Sequence, residues 1–368
     1  MGVAPEGLDG RRRHVDAKEL GKPRFCEYRA KILRMRALCV IYCLVLCLSP
    51  LAAASDPSLA RLERQLELVA TGATDGITGV SATHIETGRT VSVRGSERFP
   101  MASAVKIPFA VQLMSLVDAG KLSLDKMVSL EPKDLHPGSG KISELLFHPG
   151  VSLSLENFME MMLVISDNSA ADIVLREAGG PLEVNARMKM LGLNGIRVDR
   201  NIAILISDWT GAKNIPPENE WNRDMWDQLY GAVPNADHMR ARRAQWADPR
   251  DTATPDDMTK LLVRIWRRDL LTPKNADILL GMLQRCQTGK TRLKGLLPAG
   301  TPVAHKTGTL GGVADDVGVI TLPGDAGHVA ISVFTKASTK PEEASERAVA
   351  EVARTVYDYF TLVPGAKN

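Results

Sequence analysis

Two side chains at the start of a predicted helix have the types and the spacing of a nucleophile and its base. Ser103 and Lys106 lie three residues apart, and residues at this spacing share one face of a helix. An amine that reaches a serine hydroxyl in this way can accept its proton and activate the oxygen. The pair alone predicts little, because roughly one such pair is expected by chance in a chain of this size, and Ser123 and Lys126 form another.

Two polar triplets follow this pair along the chain. Ser166-Asp167-Asn168 ends an apolar predicted helix, and Lys306-Thr307-Gly308 lies on a predicted strand. A Ser-x-x-Lys pair, a Ser-Asp-Asn triplet and a Lys-Thr-Gly triplet, in this order, form the motif set of serine enzymes that recognise penicillins. The alternative is that the triplets only cap a helix and lie on a solvated strand. The ordered set favours a serine acyl-transferase.

The chain resembles a class A β-lactamase across nearly the whole region after residue 54. Four short segments carry the similarity besides the three motifs: Phe99-Pro100-Met101, Asp118-Ala119-Gly120, Gly179-Gly180-Pro181 and Arg250-Asp251-Thr252. The resemblance implies hydrolysis of the β-lactam amide through an acyl-enzyme. It also implies a small β-lactam or D-Ala-D-Ala-like substrate and no metal or organic cofactor.

The resemblance implies a role for each catalytic residue. Ser103 is expected to open the lactam and to hold the acyl group as an ester, while Lys106 helps to take its proton, directly or through water. Ser166 is expected to pass a proton to the departing lactam nitrogen. The backbone N–H groups of Ser103 and Thr309 are expected to form the oxyanion hole, in which one donor is typically worth about 3 kcal/mol.

Substrate binding is assigned on the same resemblance. Asn168 is expected to hold the amide of the acyl side chain. Lys306 supplies positive charge, and Thr307 receives the substrate carboxylate. Gly308 and Thr309 complete the expected substrate-binding set.

One residue expected from the resemblance is missing. In class A enzymes a loop after the second motif carries a glutamate two residues beyond an arginine, and it closes at an aspartate paired with that arginine. Arg200 and Asp251 supply the two ends here, but Ile202 occupies the glutamate position and Ile206 the position of an expected asparagine. Since an isoleucine cannot activate water, the acyl ester should form and then persist unless another base acts.

The loop is also much longer than expected. Between Arg200 and Asp251 lie 50 residues, far beyond the usual limit of about 15 for a loop without its own structure. The insert 201–250 is therefore predicted to fold, and it either reshapes the substrate cleft, supplies a replacement base or packs outside the helical lobe. Glu218 and Asn222 have the spacing of the missing pair, so Glu218 is a candidate base. The insert holds four of the five tryptophans, namely Trp209, Trp221, Trp226 and Trp246.

The elements that must position these motifs predict an α/β (α+β) fold. An antiparallel sheet built from both termini is expected over 55–102 and 270–368, flanked by helices, with an inserted all-helical lobe over 103–269. A cleft between two such lobes is a natural place for a site. Predicted strands cover 77–85, 90–93, 302–307, 316–321 and 328–335. Predicted helices cover 57–70, 103–119, 155–165, 169–178, 181–191, 256–269, 274–285 and 342–360.

Residues 1–54 are predicted to be a leader and signal peptide. The first 36 residues carry ten Lys or Arg against five Asp or Glu, and 37–54 carry no charge and end in small residues. This order is typical of a secretory signal cleaved near Ala54, which predicts a periplasmic or secreted bacterial protein, with Met1 or Met35 as its start. An uncleaved membrane anchor is the alternative, although the apolar run is short for a span of about twenty residues.

The composition excludes several other classes of protein. After removal of the leader, the net charge changes from +3 to about −2, with 36 basic against 38 acidic residues, so no nucleic-acid partner is expected. Four of the five cysteines fall in the leader, and the remaining one, Cys286, is predicted to be a buried packing residue. No Cys/His pattern typical of a metal site is present in the sequence. His305 is predicted to face the side of its strand opposite Lys306, and the mature domain 55–368 is expected to be a monomer.

Three functions stay open at the level of the sequence. The first is an exported serine β-lactamase that acts through Ser103. The second is a D-Ala-D-Ala peptidase or penicillin-binding protein with slow deacylation, which would use the same serine. The third is a non-catalytic sensor or binding domain that is acylated once.

Overall fold

Both ends of the chain contribute strands to one antiparallel sheet. The computed structural model describes residues 56–363, apart from residues 73 and 137. Its five-stranded sheet has the order β2-β1-β9-β8-β7, so strands that precede the helical region pair with strands that follow it. This confirms the predicted fold class. In chain order the strands are β1 Ile77–His84, β2 Thr90–Val93, β3 Phe99–Pro100, β4 Met127–Ser129, β5 Ser152–Ser154, β6 Thr252–Ala253, β7 Val303–Leu310, β8 Val313–Thr321 and β9 His328–Lys336.

Twelve α-helices lie within the described residues, and the helices predicted at 57–70, 274–285 and 342–360 agree with them to within two residues. Asp56 accepts a hydrogen bond from the backbone N–H of Ser58 at 2.9 Å and so caps the first helix. In the described part of the chain, no helix has the length and apolar character needed to cross a membrane. The helices are α1 Pro57–Gly72, α2 Lys106–Asp118, α3 Ile142–Leu145, α4 Leu155–Val164, α5 Asn168–Glu177, α6 Gly180–Met190, α7 Ile202–Thr210, α8 Arg223–Gly231, α9 Asn235–Gln245, α10 Pro255–Trp266, α11 Pro273–Gln284 and α12 Glu342–Leu362.

The chain enters α2 differently from the prediction of one helix over 103–119. Ala102–Val105 form a 3₁₀ turn, and the α-helix begins only at Lys106. The backbone N–H of Met101 is held by the carbonyl of Asp251 at 3.0 Å, and Ala102 then adopts a left-handed conformation with φ of 43°. Ser103 therefore lies in a tight turn in front of the helix.

The sheet separates two parts of the core. Val333 and Phe334 are adjacent on β9 and fully buried on opposite faces, as alternation along a strand requires. Val333 belongs to the cluster in which α1 and α12 cover one face. Phe334 belongs to the larger cluster, which includes Leu261 of α10 and continues into Phe158 of the helical lobe. Burial of each such side chain contributes about 1.5–3 kcal/mol.

The insert 201–250 is folded, and its tryptophans pack in two places. It contains α7, a 3₁₀ turn at Glu218–Glu220, α8 and α9. Trp221 and Trp226 form a cluster with Ala203, while Trp209 and Trp246 pack around Leu310 and Val313, where β7 turns into β8. The insert thus both packs on itself and reaches the end of the sheet. The predicted leader, residues 1–54, lies outside the described residues.

Candidate active site

The predicted nucleophile lies at the edge of a pocket between the sheet and the helical lobe. Ser103 is half-buried in its 3₁₀ turn and lines a pocket of about 520 Å³. Asn168 and Thr309 line the same pocket. The structure therefore brings one residue of each predicted motif region to a single cavity, which has the size of a small-molecule site.

Two buried lysines meet at the hydroxyl of Ser166. The amine of Lys106 donates to the backbone carbonyl of Ser166 at 2.6 Å and to Oδ1 of Asn168 at 2.9 Å, and it lies 3.3 Å from the Ser166 hydroxyl. The amine of Lys306 donates to the same hydroxyl at 3.0 Å and to the carbonyl of Thr307 at 2.9 Å. Both lysines are fully buried. The hydroxyl of Ser166 is therefore in contact with both amines.

Burial and mutual repulsion change the protonation of these two amines. Burial, with the charge of Lys306 in second place, lowers the pKa of Lys106 well below its usual value. Burial lowers the pKa of Lys306 to about 8, while the nearby groups of Cys286 and Asp316 oppose this change. Lys106 therefore loses its proton far more readily than an ordinary lysine, and Lys306 stays mostly charged at neutral pH.

The second motif is held in place by its own aspartate. The carboxylate of Asp167 accepts hydrogen bonds from the backbone N–H groups of Lys141 at 2.6 Å, Ile142 at 2.9 Å and Ala170 at 2.9 Å. Ser166 has a φ of 61°, a left-handed conformation that costs energy for a residue with a side chain. The three hydrogen bonds offset this cost and fix the Ser166 hydroxyl between the lysines.

An arginine without a recognised motif supports the third motif. Arg292 is almost fully buried and donates to the carbonyl of Gly308 at 2.9 Å and to the hydroxyl of Thr309 at 2.7 Å. It also donates to Glu342 at 2.8 Å. The hydroxyl of Thr307 lies 2.6 Å from that of Thr288. Sequence reasoning missed Arg292 because no motif surrounds it.

Behind β7, a histidine and a cysteine form a polar group beneath the third motif. His305 lies 2.8 Å from the carboxylate of Asp316 on β8, and the Cys286 sulfur lies 3.3 Å from the Thr288 hydroxyl. Burial opposes protonation of His305, but Asp316 raises its pKa to about 9. Burial also opposes ionisation of Cys286, yet His305 and Lys306 lower its pKa to about 7. Cys286 is buried, as predicted, and its thiol ionises more readily than that of an ordinary cysteine.

The comparisons with known proteins agree with this arrangement. The model of the β-lactamase enzyme family matches residues 61–360. The chain is 30% identical over 279 residues to β-lactamase VEB-1 of Pseudomonas aeruginosa, which covers 74% of this chain and 81% of the relative. It is also 30% identical over 317 residues to the carbapenem-hydrolysing β-lactamase KPC of Klebsiella oxytoca, which covers 84% and 94%.

The chain belongs to the β-lactamase enzyme family. A solved β-lactamase from Chitinophaga pinensis superposes with a TM-score of 0.67 at 28% identity, covering 81% of this chain and 98% of the other. An ancestral class A β-lactamase gives a TM-score of 0.65 at 28% identity, covering 81% and 99%. These findings confirm the resemblance to class A and the assignment as a serine hydrolase that acts on β-lactams.

Ile202, at the position where the resemblance leads us to expect a glutamate, lies at the start of α7. Arg200 and Asp251 close the loop through an ion pair of 2.6 Å, as the resemblance implies. Asp172 on α5 accepts the backbone N–H groups of Ile202 at 2.6 Å and of Ala203 at 3.0 Å. Ile202 and Ile206 both line the pocket that contains Ser103. An apolar surface therefore faces the nucleophile where a general base is expected.

The structure does not bring Glu218, the candidate replacement base, to the nucleophile. Glu218 is exposed in its 3₁₀ turn and lines a separate pocket together with Asp172, His136 and Trp221. Trp221, three residues further along the chain, explains the position of Glu218. Its ring packs against those of His136 and Trp226, with centroids 5.8 and 5.0 Å away. The prediction of Glu218 as a base is corrected on this geometry.

Proposed function

We propose that this β-lactamase opens the lactam through an ester on Ser103 and that hydrolysis of the ester is its slow step. The proposal that an ester forms on Ser103 rests on one observation. The hydroxyl of Ser166 contacts both Lys106 and Lys306 next to the pocket lined by Ser103. A hydroxyl held between two amines can pass a proton from the nucleophile to the leaving nitrogen.

The acylation step follows from this arrangement. Lys106, as a neutral amine, takes the proton of Ser103, directly or through water, while the serine oxygen bonds to the lactam carbonyl carbon. The bond from that carbon to nitrogen then breaks, and the nitrogen receives a proton through Ser166. The N–H groups of Ser103 and Thr309 stabilise the oxyanion. Asn168 holds the acyl side chain, and Lys306 with Thr307 and Gly308 binds the substrate carboxylate.

The deacylation step lacks a positioned base. Ile202 and Ile206 offer no group that can take a proton from water. Among the described residues that line the pocket, the one carboxylate belongs to Glu342, which is engaged by Arg292 at 2.8 Å. A general base typically contributes about a hundred- to ten-thousand-fold to such a step. The ester should therefore outlast that of a class A enzyme with its glutamate by a similar factor.

Intact-mass spectrometry with benzylpenicillin tests both halves of the proposal. We expect the mass to rise by that of one whole penicillin molecule and to return slowly after excess penicillin is removed. Ser103→Ala should show no adduct. Absence of both adduct and penicillin hydrolysis would refute the Ser103 route, and rapid hydrolysis by wild-type protein would refute the slow step.

The apolar surface at Ile202 also favours a second candidate, a penicillin-binding peptidase that acylates and releases slowly. The two candidates differ in their natural substrate. Release of D-alanine from an N-acylated D-Ala-D-Ala peptide at a rate that exceeds benzylpenicillin turnover would select the peptidase. If no D-alanine is released, the β-lactamase is the candidate that remains.

We propose further that the protein is exported and that its mature form begins near Ser55. The basic, apolar and small-residue order of residues 1–54 supports this. Expression of the whole chain in a Gram-negative host, followed by N-terminal sequencing of the periplasmic fraction, tests it. A protein that retains residues 37–54 would contradict cleavage.

A further inference from the structure

The insert builds one end of the pocket, beyond the third motif. Trp209 on α7, Arg242 on α9, Gly311 at the β7–β8 turn and Lys340 all line the pocket that contains Ser103. These four residues are called the outer subsite here. Two of them come from the enlarged loop, so the subsite depends on the part of the chain that departs most from the family.

The outer subsite has a fixed position relative to the third motif. The guanidinium of Arg242 lies 4.5 Å from the centre of the Trp209 ring. A methyl group added at Gly311 would stand 3.2 Å from Cδ of Arg242 and 3.5 Å from Nε1 of Trp209. The carbonyl of Gly311 is in turn held by the indole N–H of Trp246 at 2.8 Å. The subsite therefore lies two residues beyond Thr309, beside the expected acyl group.

Two of its N–H donors have no hydrogen-bond partner. Nε of Arg242 and Nε1 of Trp209 are both shielded from solvent, and neither bonds to any group among the described residues. Buried donors without a partner are uncommon in folded proteins, and each calls for an explanation such as a missing ligand. Both side chains line the pocket. The two nitrogens themselves are covered, so a bound molecule meets the rest of the guanidinium and of the ring.

The charge of the outer subsite selects the kind of molecule. Within residues 56–363, neither Arg242 nor Lys340 forms an ion pair with a carboxylate. Among the described residues that line the pocket, the one carboxylate, that of Glu342, is paired with Arg292. The end of the pocket thus carries positive charge beside the apolar side chains of Leu205 and Ile206. This combination fits a group with an apolar body and an anionic end.

We propose that the outer subsite binds a carboxylate on the acyl side chain of the β-lactam. This inference rests on the proposed function, because it places the acyl group of the Ser103 ester in this pocket. The planar guanidinium of Arg242 presents donors in a fork that matches a carboxylate. The Trp209 ring holds the guanidinium in place from 4.5 Å, and Lys340 adds long-range attraction.

Carbenicillin and benzylpenicillin form a matched pair of probes, since carbenicillin has the same ring and side chain with one added carboxylate. Acylation efficiency is measured for both by intact-mass time courses. We expect wild-type protein to favour carbenicillin, and Arg242→Gln to lower its efficiency about tenfold, as the loss of a charged hydrogen bond predicts. Benzylpenicillin should change less than about twofold.

Neighbouring variants separate recognition from structure. Arg243→Gln removes an exposed charge from the next position of α9 and should leave both efficiencies unchanged. Arg242→Lys should restore part of the preference, and Trp209→Phe, which keeps an aromatic ring beside Arg242, should lower it less than Arg242→Gln does. Equal losses for both penicillins in Arg242→Gln, or no preference in wild-type protein, would overturn the subsite.

Binding to Ser103→Ala tests the subsite apart from the chemistry. Calorimetry with intact carbenicillin and benzylpenicillin should show tighter carbenicillin binding, which Arg242→Gln removes. If this preference is present while wild-type protein forms no ester, the proposed function fails and the subsite stands. If the ester forms while the preference is absent from Ser103→Ala, the subsite fails and the proposed function stands.

Discussion

Two walls of the same pocket differ in almost every physical property. The motif wall is lined by Ser103, Asn168 and Thr309. Directly behind it, the buried polar groups of Lys106, Ser166 and Lys306 have several partners each. The insert wall, formed by Ile202, Leu205, Ile206, Trp209 and Arg242, is mostly apolar and has unpartnered donors. Under the proposed function, the groups for making the ester lie on the motif wall, and the insert wall offers no base for breaking it among the described residues.

The largest expected effect comes from the motif wall. Lys106→Met should slow acylation by about a hundred- to ten-thousand-fold, because it removes the amine that takes the serine proton. Adduct formation with benzylpenicillin, followed by intact mass, measures this effect. Lys126→Met is the matched control: Lys126 has the same spacing from a serine, but it forms a surface ion pair with Glu177 at 2.6 Å. Normal acylation by Lys106→Met would remove the lysine from the mechanism.

The next largest effect is a loss of stability caused by a change at Trp226, inside the insert. Trp226→Ala should lower the free energy of unfolding by about 3–5 kcal/mol, since Trp226 is fully buried and packs against Trp221 and His136. Chemical denaturation measures the change. Trp209→Phe, at the pocket, should cost much less. An unchanged stability in Trp226→Ala would mean that the insert contributes little to the cooperative fold.

The motif wall was largely predictable from the sequence because its information is local. Short motifs and helical periodicity located Ser103, Ser166 and Lys306, and the cap signal at Asp56 placed the start of α1. The pairing of strands from both termini also followed from the order of the elements. The motifs, the periodicity and the cap depend on residues close together in the chain, and the strand pairing follows from the order of the elements.

The insert wall was not predictable because its positions depend on contacts between distant residues. Trp221 packs on His136, which carries Glu218 away from the nucleophile. Arg242 reaches Gly311 across about 70 residues of sequence. The left-handed turn at Ala102 and the role of Arg292 likewise arise from tertiary contacts, so no local sequence pattern predicts them.

A change in the insert wall should supply the missing half of the reaction. Ile202→Glu, combined with Ile206→Asn, should shorten the lifetime of the benzylpenicillin ester by about ten- to a hundredfold, toward the lower end of what a general base contributes. Decay of the adduct after removal of penicillin measures this lifetime. Ile204→Glu is the control, because Ile204 belongs to the same helix but packs toward the Trp226 cluster. Equal lifetimes in all three proteins would place the slow step elsewhere.

The smallest effect is a pH dependence that links the motif wall to the groups behind β7. Lys306 must be protonated to attract the substrate carboxylate, and its pKa is about 8. Acylation should therefore be unaffected by this group below pH 8 and should fall by up to about tenfold for each pH unit above it. Acylation efficiency measured from pH 6 to 10 gives the midpoint of this fall.

Two variants should move that midpoint in opposite directions. The thiolate of Cys286 raises the pKa of Lys306, so Cys286→Ser, which cannot ionise in this range, should shift the fall to lower pH by less than about one unit. Lys306→Arg keeps its charge at all these pH values and should remove the fall. An unchanged midpoint in Cys286→Ser would show that the charge of Cys286 does not affect the pKa of Lys306. A fall that persists in Lys306→Arg would assign the titration to another group.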